Sequence, residues 1–507
     1  MRARFSGKAI RKMIGLAGVS VSLLACPTPE SESPAPRLVL LYATCTVNKD
    51  YLSPYNPKIT FTPHLQRFAR ESTVFTRHQT EAGQSGPAYA SIFTGTQAYR
   101  HGVYRHPTKL RDEAYLISEA FADSGYETFF WNGHDMASAE LNYGQGVPKE
   151  NIFRYKLSAD DPRFLEILER LRSDKDYRAF VLTNFTTTHS PYAIGYLDQF
   201  RRLYPARAPE VNREEIDEYR EIYKKNRHQL QWNFPETIER LRLSQDEVRR
   251  LAQVIELLYQ SRVNHLDVLF GKILGQLSWY GVLDDSLIVF TADHGETLYR
   301  EDRPFKWTHG LALMPEVLGV PLMIRSSDPD LKPRIYDKLT RAIDVFPTIA
   351  GLSGVTVPQE MDVEGVDLSP ILRGRQPPPD LSAYSYVPFA IIPKKEREMF
   401  TLHLKYFPGD GPQQIWVSLR EGDAFYRWTK LGGNGWGAEA FNLASDPAAT
   451  KDLFNRDDPK HREIGDRLRA YKALMLERCY EMYPDKLERE PQLSKKQIEA
   501  LKKLGYL

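Results

Sequence analysis

Short runs of apolar residues alternate with stretches of helical periodicity from residue 37 onward. Residues 37–43, 127–132, 178–185, 286–292 and 320–326 are rich in β-branched and aromatic side chains and are apolar almost throughout. Continuous apolar character is expected of parallel strands covered on both faces. The clearest helical pattern opens at Ser244, with Glu247 three residues on as a capping box. It carries Ile255, Leu258, Leu266, Leu269, Ile273 and Leu277 on one face. Strand and helix in alternation predict a doubly wound α/β sheet, which gathers ligands at the carboxyl ends of its strands. Cys45 follows the first run, His189 the third, and Asp293 with His294 the fourth.

The rest of the chain sets the boundaries. Residues 1–26 combine five basic residues with a short apolar run that ends in Leu23-Leu24-Ala25-Cys26. That run is too short to span a bilayer and suits a signal peptide. Its end resembles a bacterial lipobox, which implies cleavage before Cys26, a lipid on its thiol and an extracytoplasmic, membrane-anchored location in periplasm or cell surface. The Pro-, Ser- and Glu-rich residues 27–36 read as a tether. Residues 37–375 form the expected main domain, and the prolines at 377–379 introduce a smaller α+β subdomain over 376–507. A further insertion at 197–237, rich in Arg, Glu and Tyr, is expected to pack as helix over the mouth of the site. Net charge is only +2, with 42% hydrophobic residues, which describes an ordinary globular chain without a nucleic-acid footprint. Three cysteines are too few for a disulfide framework.

Three segments carry candidate chemistry. In residues 80–95, Gly86-Pro87 turns into an apolar helix and puts Ser85 at its N-terminus, where free N–H groups and the helix dipole favour an anion. A serine there becomes a nucleophile if a metal lowers its pKa, although serine is also simply a favoured N-cap. In residues 287–296, a strand ends in Asp293-His294, an oxygen and a nitrogen donor suited to divalent ions. Residues 186–192 put His189 beyond another strand end.

Together these segments resemble the sulfatase branch of the alkaline phosphatase superfamily, and the likeness is collinear over nearly the whole chain after the tether. Thr62-Pro63-His64-Leu65, Ala90-Ser91-Ile92-Phe93-Thr94-Gly95, His101-Gly102-Val103 and Asp293-His294-Gly295-Glu296 resemble family motifs in order. His309-Gly310, Ile343-Asp344-Val345-Phe346-Pro347-Thr348, Phe441-Asn442-Leu443 and the closing Leu504-Gly505-Tyr506-Leu507 continue the series. The resemblance implies a sulfatase-like α/β fold with a smaller C-terminal subdomain. It also implies one divalent metal ion and an anionic ester substrate, on a glycan or a lipid headgroup. Ser85, His189 and His309 match family positions that act on the ester, and Lys306 is a candidate cation for it. Asn132 and His134 are weaker candidates, because the family's "GKWHLG" is not matched.

Two departures shape the chemistry. Sulfatases carry C/S-x-P-S-R, whose first residue becomes formylglycine; here the aligned residues are Ser85-Gly86-Pro87-Ala88-Tyr89, without the second Ser and the Arg. An unmodified Ser85 fits the family members that move phosphoryl groups. Cys45 stands where the family's first strand offers Asp. A thiolate disfavours calcium and magnesium and is accepted by zinc, so Cys45, Asp293, His294 and Ser85 are the expected zinc site, with calcium or magnesium as the alternatives. The expected activity is hydrolysis of sulfate or phosphate esters, with phosphate slightly preferred. The rival readings are a lipid-anchored binding protein whose site has decayed around a buried thiol, and a phospho-headgroup transferase.

Overall fold

The computed structural model describes residues 35–208, 211–303, 305–310, 313–388, 415–429 and 437–482. The signal-like segment with Cys26 and the closing Leu504–Leu507 motif lie outside the described residues.

Eight strands form one sheet: β1 (Leu38–Thr44), β2 (Thr73–Gln79), β3 (Glu127–Asn132), β4 (Ile152–Phe153), β5 (Ala179–Phe185), β6 (Ser286–Ala292), β7 (Leu322–Ser326) and β8 (Arg334–Arg341). Their spatial order is β4-β3-β5-β1-β6-β7-β2-β8. β4, β3, β5, β1 and β6 run parallel, and every residue of β1, β5 and β6 is buried. Alternate residues serve opposite faces, as the pleat requires. Leu38, Leu40 and Tyr42 enter one core, while Val39, Leu41 and Ala43 enter the other.

All five strands expected from the apolar runs are present, with ends shifted by two residues at most. The direction of one differs. β7 is antiparallel to both β6 and β2. Between β6 and β7 the described residues form only one short helix, Pro315–Leu318, and no crossover helix among them returns the chain to the starting edge. The next strand therefore runs back. The intervening loop stays over the carboxyl end of β6, where it delivers His294 and His309.

One face of the sheet is covered by the 35-residue helix Gln245–Trp279. Ser244 caps it as expected, accepting from the Glu247 amide at 3.3 Å while the Glu247 carboxylate accepts from the Ser244 amide at 2.7 Å. Ile255, Leu258, Leu266, Ile273 and Leu277 are buried; Leu269 is only half-buried, and Phe270 takes its place in the core. The opposite face holds the helices Ser85–Thr94 and Val345–Leu352.

A second, antiparallel sheet follows: β9 (Ala383–Pro388), β10 (Ile415–Glu421), β11 (Ala424–Thr429) and β12 (Gly437–Asn442), in the order β12-β11-β10-β9. The helix Pro459–Met482 covers one face through Ile464, Leu468 and Met475. The other face meets Leu313, Met314, Val317 and Leu318 of the β6–β7 loop. This is the smaller α+β element expected after the prolines. It also braces the approach to Ser85: the Tyr386 amide donates to the Glu81 carbonyl at 2.9 Å, and the Ser385 hydroxyl donates to the Thr80 carbonyl at 2.6 Å. No helix among the described residues is long and apolar enough to cross a membrane.

Candidate active site

The carboxyl ends of β5, β1 and β6 lie side by side, and the backbone carries the β5–β1 and β1–β6 pairings one residue past β1 and β6. The Cys45 amide donates to the Phe185 carbonyl at 2.7 Å, and the Asp293 amide donates to the Thr44 carbonyl at 3.0 Å. Cys45 and Asp293 are thereby neighbours at the sheet edge. Thr46 follows in a left-handed conformation (φ 61°), which no glycine relieves, and its amide donates to Asp293 Oδ1 at 3.0 Å. Strain of this kind persists only where the surroundings hold it.

Gly295 is the residue that lets the Asp-His pair turn inward. A Cβ there would lie 2.0 Å from the Glu316 carbonyl oxygen, so no side chain fits. The turn leaves His294 with its Nδ1 donating to the Gly295 carbonyl at 2.9 Å, which frees the lone pair of Nε2. Nε2 lies 3.1 Å from Ser85 Oγ, and Cys45 Sγ lies 3.4 Å from the same oxygen. Ser85 opens a ten-residue helix in which every residue is buried.

Cys45, Asp293 and His294 offer Sγ, a carboxylate oxygen and a ring nitrogen that all lie within 4.8 Å of one another. Asp293 Oδ2 is buried and makes no hydrogen bond. An acceptor of this kind is costly unless something positive completes it. Burial first, and then the negative charge of Asp293, push the Cys45 thiol well above its usual range. A thiolate beside a carboxylate is stable only with a cation between them, so the donor set fits a thiophilic divalent ion.

Four more histidines surround this group. The His309 ring stacks on His294 with centroids 4.4 Å apart, and His189 meets His309 edge-on at 5.1 Å. Burial, followed by the charges of its neighbours, holds each of His106, His134, His189 and His309 well below the usual imidazole value. Glu296 reaches His309 Nδ1 at 3.2 Å and accepts from the Tyr192 hydroxyl at 3.2 Å. Burial pushes its carboxyl up to about 8. His134 Nδ1 accepts from the Met136 amide at 3.1 Å, so in the neutral ring the proton sits on Nε2, which has no hydrogen-bond partner. Tyr89 is fully buried, and its hydroxyl is also without a partner. Asp293 and Cys45 add to burial in raising its pKa.

The structure thus brings Ser85, Cys45, Asp293, His294, His189 and His309 together. Lys306 is placed differently. Its ammonium donates to the Arg303 carbonyl and lies over the rings of Phe234 and Tyr299, at 5.0 and 5.4 Å. The insertion folds into the helices Leu197–Leu203, Arg213–Trp232 and Phe234–Leu241, as expected. It reaches the site through Tyr223 and Arg227, which meet Ser190 Oγ at 2.9 and 3.3 Å.

Residues 40–355 match the Sulfatase family, more than half of the chain. The chain belongs to the sulfatase family. It is 25% identical over 365 residues to the endo-4-O-sulfatase of Bacteroides thetaiotaomicron, covering 61% of this chain and 66%, just under two thirds, of that protein. It is 28% identical over 388 residues to the choline-sulfatase of Rhizobium meliloti, covering 65% and 71% of the two chains. Among solved structures, the phosphonate monoester hydrolase of Agrobacterium radiobacter superposes with a TM-score of 0.61 at 20% identity, over 87% of this chain and 95% of that one. The sulfatase fold accounts for the eight-stranded sheet and the second, antiparallel sheet. Cys45 and Tyr89, the two positions at which the sequence departs from the motifs it resembles, are both fully buried in this site.

Glu296, Tyr192 and His106 joined the site without being expected there. Glu296 stands inside the Asp293–Glu296 motif, but its role needs His309, thirteen residues away, to fold back onto it. His106 carried no signal, since nothing in the spacing ties it to Ser85.

Proposed function

We propose that this chain is a metal-dependent hydrolase of phosphate and sulfate esters, with phosphate preferred, in which unmodified Ser85 is the nucleophile. The observation that carries the reading is the placement of the Ser85 hydroxyl. It lies at the first turn of a buried helix, 3.1 Å from His294 Nε2 and 3.4 Å from Cys45 Sγ, with tyrosine instead of arginine at position 89. The ion, zinc by the chemistry of its thiol donor, would be held by Cys45, Asp293 and His294, and would supply Lewis acidity beside Ser85.

The protein's own groups do the rest. With Cys45 and His294 engaged as donors to the ion, neither would be free to act as base, and the Ser85 proton would pass to solvent. The amide end of the Ser85 helix favours the negative charge of the transferred group. His134 Nε2–H and the Tyr89 hydroxyl are neutral donors buried without acceptors, and the oxygens of a bound phosphoryl group satisfy both. Attack forms the bond from Ser85 Oγ to phosphorus and breaks the bond to the leaving oxygen. That oxygen takes its proton from His309 Nε2, while Nδ1 takes one from the carboxyl of Glu296, which burial pushes up to about 8 and keeps protonated. Water then attacks the seryl ester and His309 accepts its proton in return.

The test is an acid quench during turnover of an aryl phosphate, followed by peptide mass analysis. A phosphoryl group on Ser85, absent from Ser85→Ala together with turnover, is expected. Turnover that survives Ser85→Ala would sink the reading. A peptide carrying formylglycine at position 85 would return the preference to sulfate esters. For the N-terminus the reading is lipid attachment at Cys26, tested by metabolic labelling with a fatty acid; labelling unchanged in Cys26→Ala would contradict it.

A further inference from the structure

Beside the ester site lies a cation that is nine-tenths buried and has no counter-ion among the described residues. Arg262, on the long helix Gln245–Trp279, is only 7% exposed. Its Nε donates to the Thr187 carbonyl at 2.9 Å, and its guanidinium lies over the Tyr196 ring, 5.6 Å from the centroid. Among the described residues no carboxylate lies within ion-pair distance of it. Burying a guanidinium without an anion is expensive, and burial accordingly lowers its pKa.

A second cation stands next to it. Lys156 donates to the Thr187 hydroxyl at 3.4 Å and has no carboxylate partner among the described residues. Its stem rests over the ends of β3 and β5, because Gly133 has no side chain; a Cβ there would lie 3.3 Å from Lys156 Cγ and 3.0 Å from Phe185. The Lys156 pKa is lowered to about 8, by burial first and then by the charge of Arg262. His265, 8% exposed, completes the group: its ring stacks on Tyr196 with centroids 3.3 Å apart, and its Nδ1 has no hydrogen-bond partner. Asp135 and Glu140 pair with Arg154, and Asp161 caps the helix Pro162–Ser173.

The cluster is tied to the reacting centre through adjacent backbone. Thr187 binds both cations, and the next residue, Thr188, donates its hydroxyl to the Cys45 carbonyl. An anion held by Arg262 and Lys156 would sit one loop width from the ester, at the same carboxyl edge of the sheet. Tyr196 offers an exposed ring at that place, 40% accessible, and an aromatic face suits a sugar ring better than an acyl chain's headgroup.

We propose that Arg262 and Lys156, with Tyr196 as a platform, form an anion-binding subsite for a second acidic group on a glycan substrate, a carboxylate or a second sulfate on the sugar next to the ester. The proposal rests on the ester-hydrolase reading for the placement of the first anion. It makes the preferred substrate a polyanionic oligosaccharide, and a singly charged ester a poor one.

The test compares two probes on the full Ser85→Ala chain by calorimetry: a monosulfated hexosamine, and the same sulfated hexosamine linked to a hexuronate. The disaccharide is expected to bind about tenfold tighter, the worth of one charge-assisted pair. Lys156→Glu, at an exposed position, and Arg262→Gln should each remove most of that advantage, while Arg262→Lys should keep part of it. Melting temperatures control for folding. Equal binding of the two probes, or an advantage unchanged in both variants, overturns the subsite. Turnover by the Ser85 enzyme is read separately: an inert chain that still prefers the disaccharide would sink the hydrolase reading and leave the subsite standing.

Discussion

The thiol of Cys45 lies 3.4 Å from the hydroxyl of Ser85. Two residues forty positions apart meet because β1 ends one residue before Cys45 and the helix of Ser85 points its first turn at that edge. Set against the sulfatase motifs that the sequence resembles, the site offers sulfur where an oxygen donor is expected and a phenol where a guanidinium is expected. Both differences reduce its charge: a buried thiol is neutral until a cation binds, and Tyr89 carries no charge at all.

Tyr89 is where the difference is most easily read. Its hydroxyl is buried without a partner, so Tyr89→Phe should stabilise the fold by about 1 kcal/mol, the desolvation cost of an unmet polar group. On the proposed mechanism the same variant should lower kcat/KM by roughly ten- to a hundredfold, because a donor to the transferred group is lost. Thermal melting and kinetics on one preparation check both. A higher melting temperature with unchanged turnover would make Tyr89 a packing residue only.

Glu296 positions His309 through the 3.2 Å contact to Nδ1. Glu296→Gln keeps the shape and removes the carboxylate. Turnover of an alkyl ester, which needs a proton on its leaving oxygen, should fall about a hundredfold. An aryl ester with an acidic leaving group should lose much less. Equal losses on both would mean that the residue supports the fold and not the proton donor.

His101 predicts acid sensitivity. Its Nδ1 accepts from the Val103 amide at 3.0 Å and its Nε2 lies 3.2 Å from the Ser91 hydroxyl. Burial holds it at about 3, against an ordinary 6.5. The native ring stays neutral while the unfolded chain takes up a proton, so the contribution is intact above 6.5 and is lost as pH falls toward 3. The loss is ~2 kcal/mol by pH 5. In urea titrations, His101→Gln should lose less stability than the parent between pH 7 and pH 5, by roughly that amount. Parallel curves would contradict the assignment.

Much of this was legible from residue patterns. β1, β5 and β6 are apolar at nearly every position because both faces are covered, and that is the one strand pattern a linear reading detects without knowing the neighbours. β8 escaped because it is a sheet-edge strand with four exposed positions. β2 escaped because Arg77 and His78 interrupt its apolar character. At the site, Cys45, Ser85, Asp293 and His294 were legible because each sits directly at the end of a strand or the start of a helix. Arg262 was not. It lies in the middle of a long helix, and only folding shows that no acid among the described residues meets it.

The most direct test of the account is metal content of the purified soluble chain by plasma mass spectrometry, for the parent, Cys45→Ala and Cys45→Asp. The account predicts about one zinc per chain in the parent, as expected of a thiolate, carboxylate and imidazole set. It predicts zinc lost from Cys45→Ala, and a shift toward calcium or magnesium in Cys45→Asp. Calcium or magnesium in the parent, retained in Cys45→Ala, or a parent that takes up no zinc when it is supplied, would contradict it.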